Sequence, residues 1–500
     1  MMKSIAAWAA ATAAATAAAA IASSSAASPV LAPPVELSPA LQSFVRVEAG
    51  RIALRHLRVI DGTGAAPAEN RTILIDGPRI VAVNDGRAPI PRGFRVIDLT
   101  GATALPGLVG MHNHLFYIAR PNADASGKAE DPVLLPEMAF SSLRLYLAGG
   151  VTTMRTTGSV EPYTDLNVKA QIDSGALVGP HLDVTGPYLE GGKSIFVQMH
   201  HLAGAEDARQ TVAFWADRGI TSFKAYMNIT RAELKAAIDE AHRRGLKVTG
   251  HLCAVTYPEA AELGIDNLEH GFFVNTQLDP GKAPDICPDS GGDPTIAAMT
   301  PGSAEANALI KLLVERKVAV TSTLSVFEHG IPLHAPLDPR AMAVLTPEAR
   351  QDYLYRRNIT AERAGTPRAA AFAQAYRNDL GLERQFVAAG GLLLAGPDPT
   401  GNGGVIPGFG DQREIECLVE AGFTPTEAIR IATLNGATYL GLADRIGSIA
   451  AGKDADLMIV RGNPAADIRD IEKVETVFKD GVGFDSQKLL DSVRGRYGQY

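Results

Sequence analysis

From Leu105 to Asp398 the chain repeats one pattern: a short apolar run, a polar turn, then a stretch with apolar residues at helical spacing. The apolar runs are GLVGMHNH (107–114), VTTMRTT (151–157), HLDVTGPYL (181–189), SFKAYM (222–227), KVTGHL (247–252), NLEHG (267–271), VAVTSTL (318–324) and LLLAGPD (392–398). Runs this short and this apolar read as strands buried on both faces. Two helices have explicit starts. Thr230 and Glu233 fit a capping box before LKAAIDEAHRRG, with Gly245 as the stop, and Thr424, Pro425 and Glu427 do the same before AIRIATLNGA. Eight strands alternating with helices predict an α/β fold, a (β/α)8 TIM barrel with insertions. A doubly wound open sheet is the alternative that periodicity leaves standing.

The flanks have a different texture. Between Arg51 and Thr100, and again in GSIAAGKDADLMIVRGNP and VETVFKDG, short strands are punctuated by DG turns. Each flank is too short to build a good core alone. They are expected to join in one small β-sandwich domain, residues 49–104 with 441–485, around a barrel at 105–440, with 486–500 as a C-terminal tail. Residues 276–304 and 325–350 read as long loops, functional or mobile. The glycine-rich GNGGVIPGFG (401–410) reads as a flexible loop, since neither a following helix start nor a lysine is evident for phosphate binding.

At the N-terminus, Lys3 is followed by an uncharged, alanine-rich stretch to Ala22 and then SSSAAS. This is the layout of a secretory signal peptide over residues 1–27, with cleavage after Ala26 or Ala27 and a linker at 28–48. A secreted or periplasmic protein without a stable membrane anchor is the expectation. Hydrophobic residues at 46% are enough for a sizeable core, and a net charge of −8 argues against nucleic acid as a partner. Three cysteines, Cys253, Cys287 and Cys417, are too few for a disulfide framework. One bridge is compatible with them, the pair unspecified, and Cys253 is expected to pack as a small apolar residue. The oligomeric state is open; a homo-oligomer is compatible with the sequence.

The chemistry lies at the strand ends. His112 and His114, two apart on a strand, project to the same side. An isolated pair of this kind is more often a hydrogen-bonded pair than a metal site. His251 closes the fifth apolar run, His270 the sixth, and Asp398 the eighth. Lys224 interrupts the apolar SFKAYM, where a lone ammonium is costly, so it needs a partner or a modification. In a (β/α)8 barrel the C-terminal strand ends converge on one face. Four histidines, one aspartate and one lysine gathered there suit Zn²⁺ or a similar divalent ion.

These segments, GLVGMHNH, FKAYM, VTGHL, LEHG and AGPD, in this order and spacing, together with TPTEAIRIATLNGATYLGLADRIGSIAAGKDADLMIVRGNP, resemble the metal-dependent amidohydrolase superfamily over residues 50–485. The branch is that of imidazolonepropionase-like and binuclear Xaa-Pro dipeptidase-like enzymes. The resemblance implies two divalent metal ions, of which zinc is the expected identity. His112, His114 and Asp398 would hold one, His251 and His270 the other, and N6-carboxylated Lys224 would bridge them. It further implies hydrolysis of the C–N bond of a small amide, such as a dipeptide or an N-acyl amino acid. Hydroxide bridging the metals would attack and Asp398 would act as general base. Thr156, where the branch often has Asp, and Pro397 and Pro399 around Asp398 are departures that bear on the substrate.

Tyr226, two residues after Lys224, is a candidate catalytic donor to a carbonyl oxygen. His200, His201 and Tyr117 are candidate substrate contacts by their order in the chain. A deaminase or a cyclic-amide or lactone hydrolase on the same fold is the alternative, and a non-catalytic binding protein would be expected to have lost some of these ligands.

Overall fold

The computed structural model describes residues 37–119, 133–135, 138–192, 194, 196, 198–399 and 404–498. The expected signal peptide, and the expected linker up to residue 36, lie outside the described residues. Eight parallel strands form one sheet in chain order: Leu108–Asn113, Val151–Thr156, His181–Leu189, Ser222–Ala225, Lys247–Gly250, Asn267–Glu269, Ala319–Ser322 and Leu393–Ala395. Every residue of the first and second strands is buried, as strands covered by helices outside and packed side chains inside require. The eighth strand comes back to the first, nearly closing the barrel. The Asp398 amide donates to the His112 carbonyl at 3.0 Å. A side chain at Gly396 would meet the His112 backbone nitrogen at 2.2 Å, so only glycine permits this approach.

Both expected capping boxes form, at Arg231–Arg243 and Pro425–Arg430, and a third opens Tyr257–Leu263 between Thr256 and Glu259. Gly245 ends the first of these helices with φ 73°. The flanks meet in a sandwich domain whose strands are hydrogen-bonded as one nine-stranded sheet. Its seam is the antiparallel pairing of Ala102–Pro106 with Leu457–Arg461. Ile52, Leu54, Ile73, Ile75, Leu457 and Phe478 supply its separate core.

Several segments carry more structure than their sequence suggests. Residues 39–47, expected in the linker, hold a short helix, Pro39–Gln42, and a strand, Val45–Val47, that pairs with Val482–Asp485. The expected tail begins with a helix, Ser486–Ser492, and buries Val493 and Tyr497. The long loop 276–304 contains Asp293–Ala298, and 325–350 contains Pro339–Val344 and the start of Pro347–Glu362. A helix does begin inside 401–410, at Phe409. Cys253 is not a lone apolar residue: it forms a disulfide with Cys287, while Cys417 is free and buried. Among the described residues no helix is long and apolar enough to cross a membrane.

Candidate metal centre and active site

The strand ends bring His112, His114, Lys224, His251, His270 and Asp398 together. His112 Nδ1 lies 2.7 Å from Glu269 Oε2, which turns Nε2 toward the barrel axis. There Nε2 is 3.2 Å from Lys224 Nζ and 3.6 Å from Asp398 Oδ1. His114 Nε2 is 3.2 Å from the same Asp398 oxygen. The His270 ring lies 4.6 Å from that of His112 and 4.4 Å from that of His251. His270 Nδ1 meets Thr323 Oγ1 at 2.9 Å, while its buried Nε2 has no hydrogen-bond partner among the described residues. His270 and Asp398 both adopt left-handed backbone conformations, φ 69° and 51°. That geometry is costly for residues other than glycine and is retained where the surroundings over-determine it.

Burial sets the protonation states. It pushes His112 and His270 well below the usual imidazole range, His251 down to about 3 and His114 down, with the nearby Lys224 charge adding to the effect. All four imidazoles are therefore neutral, with a lone pair to donate. Lys224 is lowered to about 8, again by burial. Burial alone would raise the Asp398 carboxyl, but His112 and His114 beside it hold it below the usual carboxylate range.

This donor set fits divalent cations. Nitrogens of His112 and His270 and an oxygen of Asp398 lie within 4.8 Å of one another. Neutral imidazole and carboxylate are the donors that zinc-type ions take. The partnerless His270 Nε2 is a buried ring nitrogen that such an ion would satisfy, with Nδ1–H then donating to Thr323 Oγ1.

Two residues outside the expected set complete the centre. Glu269 is fully buried and accepts from Arg155 Nη2 at 2.7 Å, Asn267 Nδ2 at 3.1 Å and Thr249 Oγ1. Arg155, also fully buried, donates to the Met111 carbonyl as well. Arg155 breaks an apolar strand just as Lys224 does, and Glu269 directly precedes His270, so both signals were present in the sequence.

Tyr226 stands at the centre, its ring 5.0 Å from that of His251, and burial raises its hydroxyl. The other three candidates lie elsewhere. Tyr117 packs edge-on against Tyr497 at 5.5 Å in an apolar cluster with Leu145, Tyr353 and Phe409. His200 and His201 are exposed; His200 Nε2 sits 2.9 Å from Asp207 Oδ2 and borders a separate cavity of about 490 Å³. The cavity above the metal-type residues, about 430 Å³, has His251, His270 and Asp398 in its lining and none of these three.

Residues 103–483 match the Amidohydrolase family. The chain belongs to that family, and it is a hydrolase acting on C–N bonds. It is 26% identical over 455 residues to imidazolonepropionase of Geobacillus kaustophilus (strain HTA426), an alignment covering 85% of this chain and 95% of the relative. Among solved structures, a Xaa-Pro dipeptidase with methionine bound in its active site superposes with TM-score 0.64 at 22% identity, covering 87% of this chain and 100% of that one. A bottromycin amidohydrolase superposes with TM-score 0.66 at 20% identity, covering 91% and 94%.

Proposed function

We propose that this chain is an exported, metal-dependent hydrolase that cleaves the amide bond of a small dipeptide or N-acyl amino acid. The observation that carries the reading is the convergence of His112, His114, His251, His270, Asp398 and Lys224 at one end of the barrel, with four neutral imidazoles among them. His112, His114 and Asp398 would hold one ion, and His251 and His270 a second. Lys224 is suited to join them as a carbamate. A lysine lowered to about 8 is neutral far more often at neutral pH than an ordinary lysine, and its amine adds CO2 to give a carbamate and one proton. When bound, such ions polarise the carbonyl and lower the pKa of water.

The protein groups do the rest. Asp398 Oδ1 faces His112 and His114, which leaves Oδ2 to take a proton from the attacking water and return it to the departing nitrogen. Tyr226, kept protonated by burial, donates its hydroxyl to the oxygen that gains charge. The products are a carboxylate and an amine. Export is supported by the N-terminal apolar segment and by the Cys253–Cys287 disulfide, a bond that persists in oxidising compartments.

The test is a library of dipeptides, N-acyl amino acids, cyclic amides and lactones, assayed beside elemental analysis of the same sample. The expectation is about two metal equivalents per chain and amine release from the linear amides. Lys224→Ala should lose metal and activity together, and added short carboxylic acids should restore part of both. A metal-replete enzyme that cleaves no linear amide would overturn the reading.

A further inference from the structure

The cavity over the metal centre has two unlike walls. One is apolar, built from Val326, Phe327, Ile331 and Phe372. Phe327 meets the His270 ring edge-on at 5.7 Å and is held flat against Phe273 at 4.0 Å. The other wall is the helix Pro347–Glu362, which lines the cavity with Tyr353, Arg356, Arg357 and Thr360. Those positions are i, i+3, i+4 and i+7, a single helical face. A helix that only covered the barrel mouth would lay an apolar stripe there. This one lays two guanidinium groups.

Only one of the two, Arg356, has a carboxylate partner among the described residues. Arg356 Nε lies 3.3 Å from Asp352 Oδ1. Arg357 donates Nη1 to the Ala335 carbonyl at 2.8 Å and has no carboxylate within 4.0 Å among the described residues. Among the described residues Asp398 is the one acidic residue lining the cavity, and it belongs to the metal-type cluster. The wall thus presents a partly buried cation with no carboxylate partner among the described residues, and its planar fork matches a carboxylate.

We propose that Arg357, assisted by Arg356, receives a free carboxylate of the substrate, and that Phe327 and Phe372 receive an apolar group across the scissile amide. The inference rests on the proposed function, assigns the wall that reads the free acid group of its dipeptide or N-acyl amino acid substrate, and narrows the acyl or aminoacyl part to apolar groups. A neutral carboxamide in place of the acid forfeits a charge-assisted pair and leaves the guanidinium without an anion. Hydrogen bonds to charged groups are worth about 1.5–3 kcal/mol, roughly 10- to 100-fold in kcat/KM.

The experiment uses the metal-loaded full chain and the N-benzoyl derivatives of glycine, alanine, phenylalanine and proline, each as free acid and as carboxamide, with benzoate release as the readout. The free acid is expected to exceed its carboxamide at least roughly tenfold in kcat/KM. Arg357→Gln should shrink that ratio by about tenfold or more, mainly through KM for the acid. Arg357→Lys, which keeps the charge but not the fork, should shrink it less, and it serves where the Gln variant does not fold. Equal cleavage of acid and carboxamide by the unaltered enzyme, or a ratio unmoved in folded Arg357 variants, overturns the proposal. So does cleavage of other library amides with none of this panel, which leaves the proposed function standing. Failure on the whole library removes both.

Discussion

Glu269 Oε2 lies 2.7 Å from His112 Nδ1, and neither side chain has any exposed surface. The carboxylate fixes the imidazole so that Nε2, and not Nδ1, faces the centre. Such a partner both orients a metal-ligating histidine and raises its basicity. Glu269 is in turn fixed by Arg155, Asn267 and Thr249.

Glu269→Gln preserves shape and can still accept from Arg155, but it removes the anion behind His112. Metal affinity should fall on the order of 10- to 100-fold, as for other partners of ligating histidines, with the fold retained. Chelator competition on folded protein measures this directly. Affinity equal to that of the unaltered chain would mean that His112 is oriented by packing alone.

The disulfide Cys253–Cys287 closes a loop with a sequence separation of 34 residues, and Cys253 is two residues beyond His251. The chain-entropy treatment gives about 3–4 kcal/mol for a loop of this size, and measured values more commonly fall near 2–4 kcal/mol. Cys287→Ser should therefore lower stability by roughly 2–4 kcal/mol in denaturant melts. Reducing agent should lower the unaltered protein by a similar amount and leave the variant where it is. A variant as stable as the parent would show that the strap adds nothing to the 276–304 segment.

How much of this was legible in the sequence differs by element. The eight barrel strands stand out because each is a short run with few charges set between turn and helix signals, and strand order then brings His112, Lys224, His251, His270 and Asp398 to one face. The segments after the seventh strand did not stand out. Pro339 and Pro347 look like loop residues, yet each occupies the first turn of a helix, where proline lacks only an N–H that would be unpaired anyway. Asp338 and Thr346 cap those helices by accepting from the Arg340 and Ala349 amides. The basic face of Pro347–Glu362 was hidden for the same reason. Tyr117 could not be aimed from sequence, because its neighbour Tyr497 is 380 positions away in a segment that reads as a tail.

Glu190, buried at the end of the third barrel strand, gives a pH signature. Burial raises its carboxyl to about 7, against the lowering effect of hydrogen bonds from the Gly191 and Asn228 amides, both 2.8 Å to Oε1. For a carboxyl raised on folding, the contribution to stability is fully present below the unfolded value of 4.5 and is lost as pH rises through about 7. Glu190→Gln keeps an oxygen acceptor and does not titrate. The variant should match the parent near pH 4 and exceed it by up to about 3 kcal/mol above pH 7.5. Parallel urea melts across that range provide the comparison, and a difference independent of pH would mean that Glu190 does not titrate there.

Asp398 carries two jobs in the proposed chemistry, metal ligand and proton carrier, and Asp398→Asn separates them. An amide oxygen can still coordinate, and the four histidines and Lys224 remain. Metal binding should weaken without vanishing, and excess metal should refill the sites. The amide cannot accept a proton from water, nor pass one to the departing nitrogen. General acid–base catalysis is typically worth about 10²–10⁴-fold. The metal-replete variant should therefore lose at least roughly 10²-fold in kcat. KM should change far less, because the substrate is held mainly by the cavity walls. Metal content and kcat measured on one sample make the separation. A metal-replete Asp398→Asn enzyme with near-normal kcat would mean that another group moves the proton. Tyr226, whose ring lies beside His251, would then be the next residue to replace.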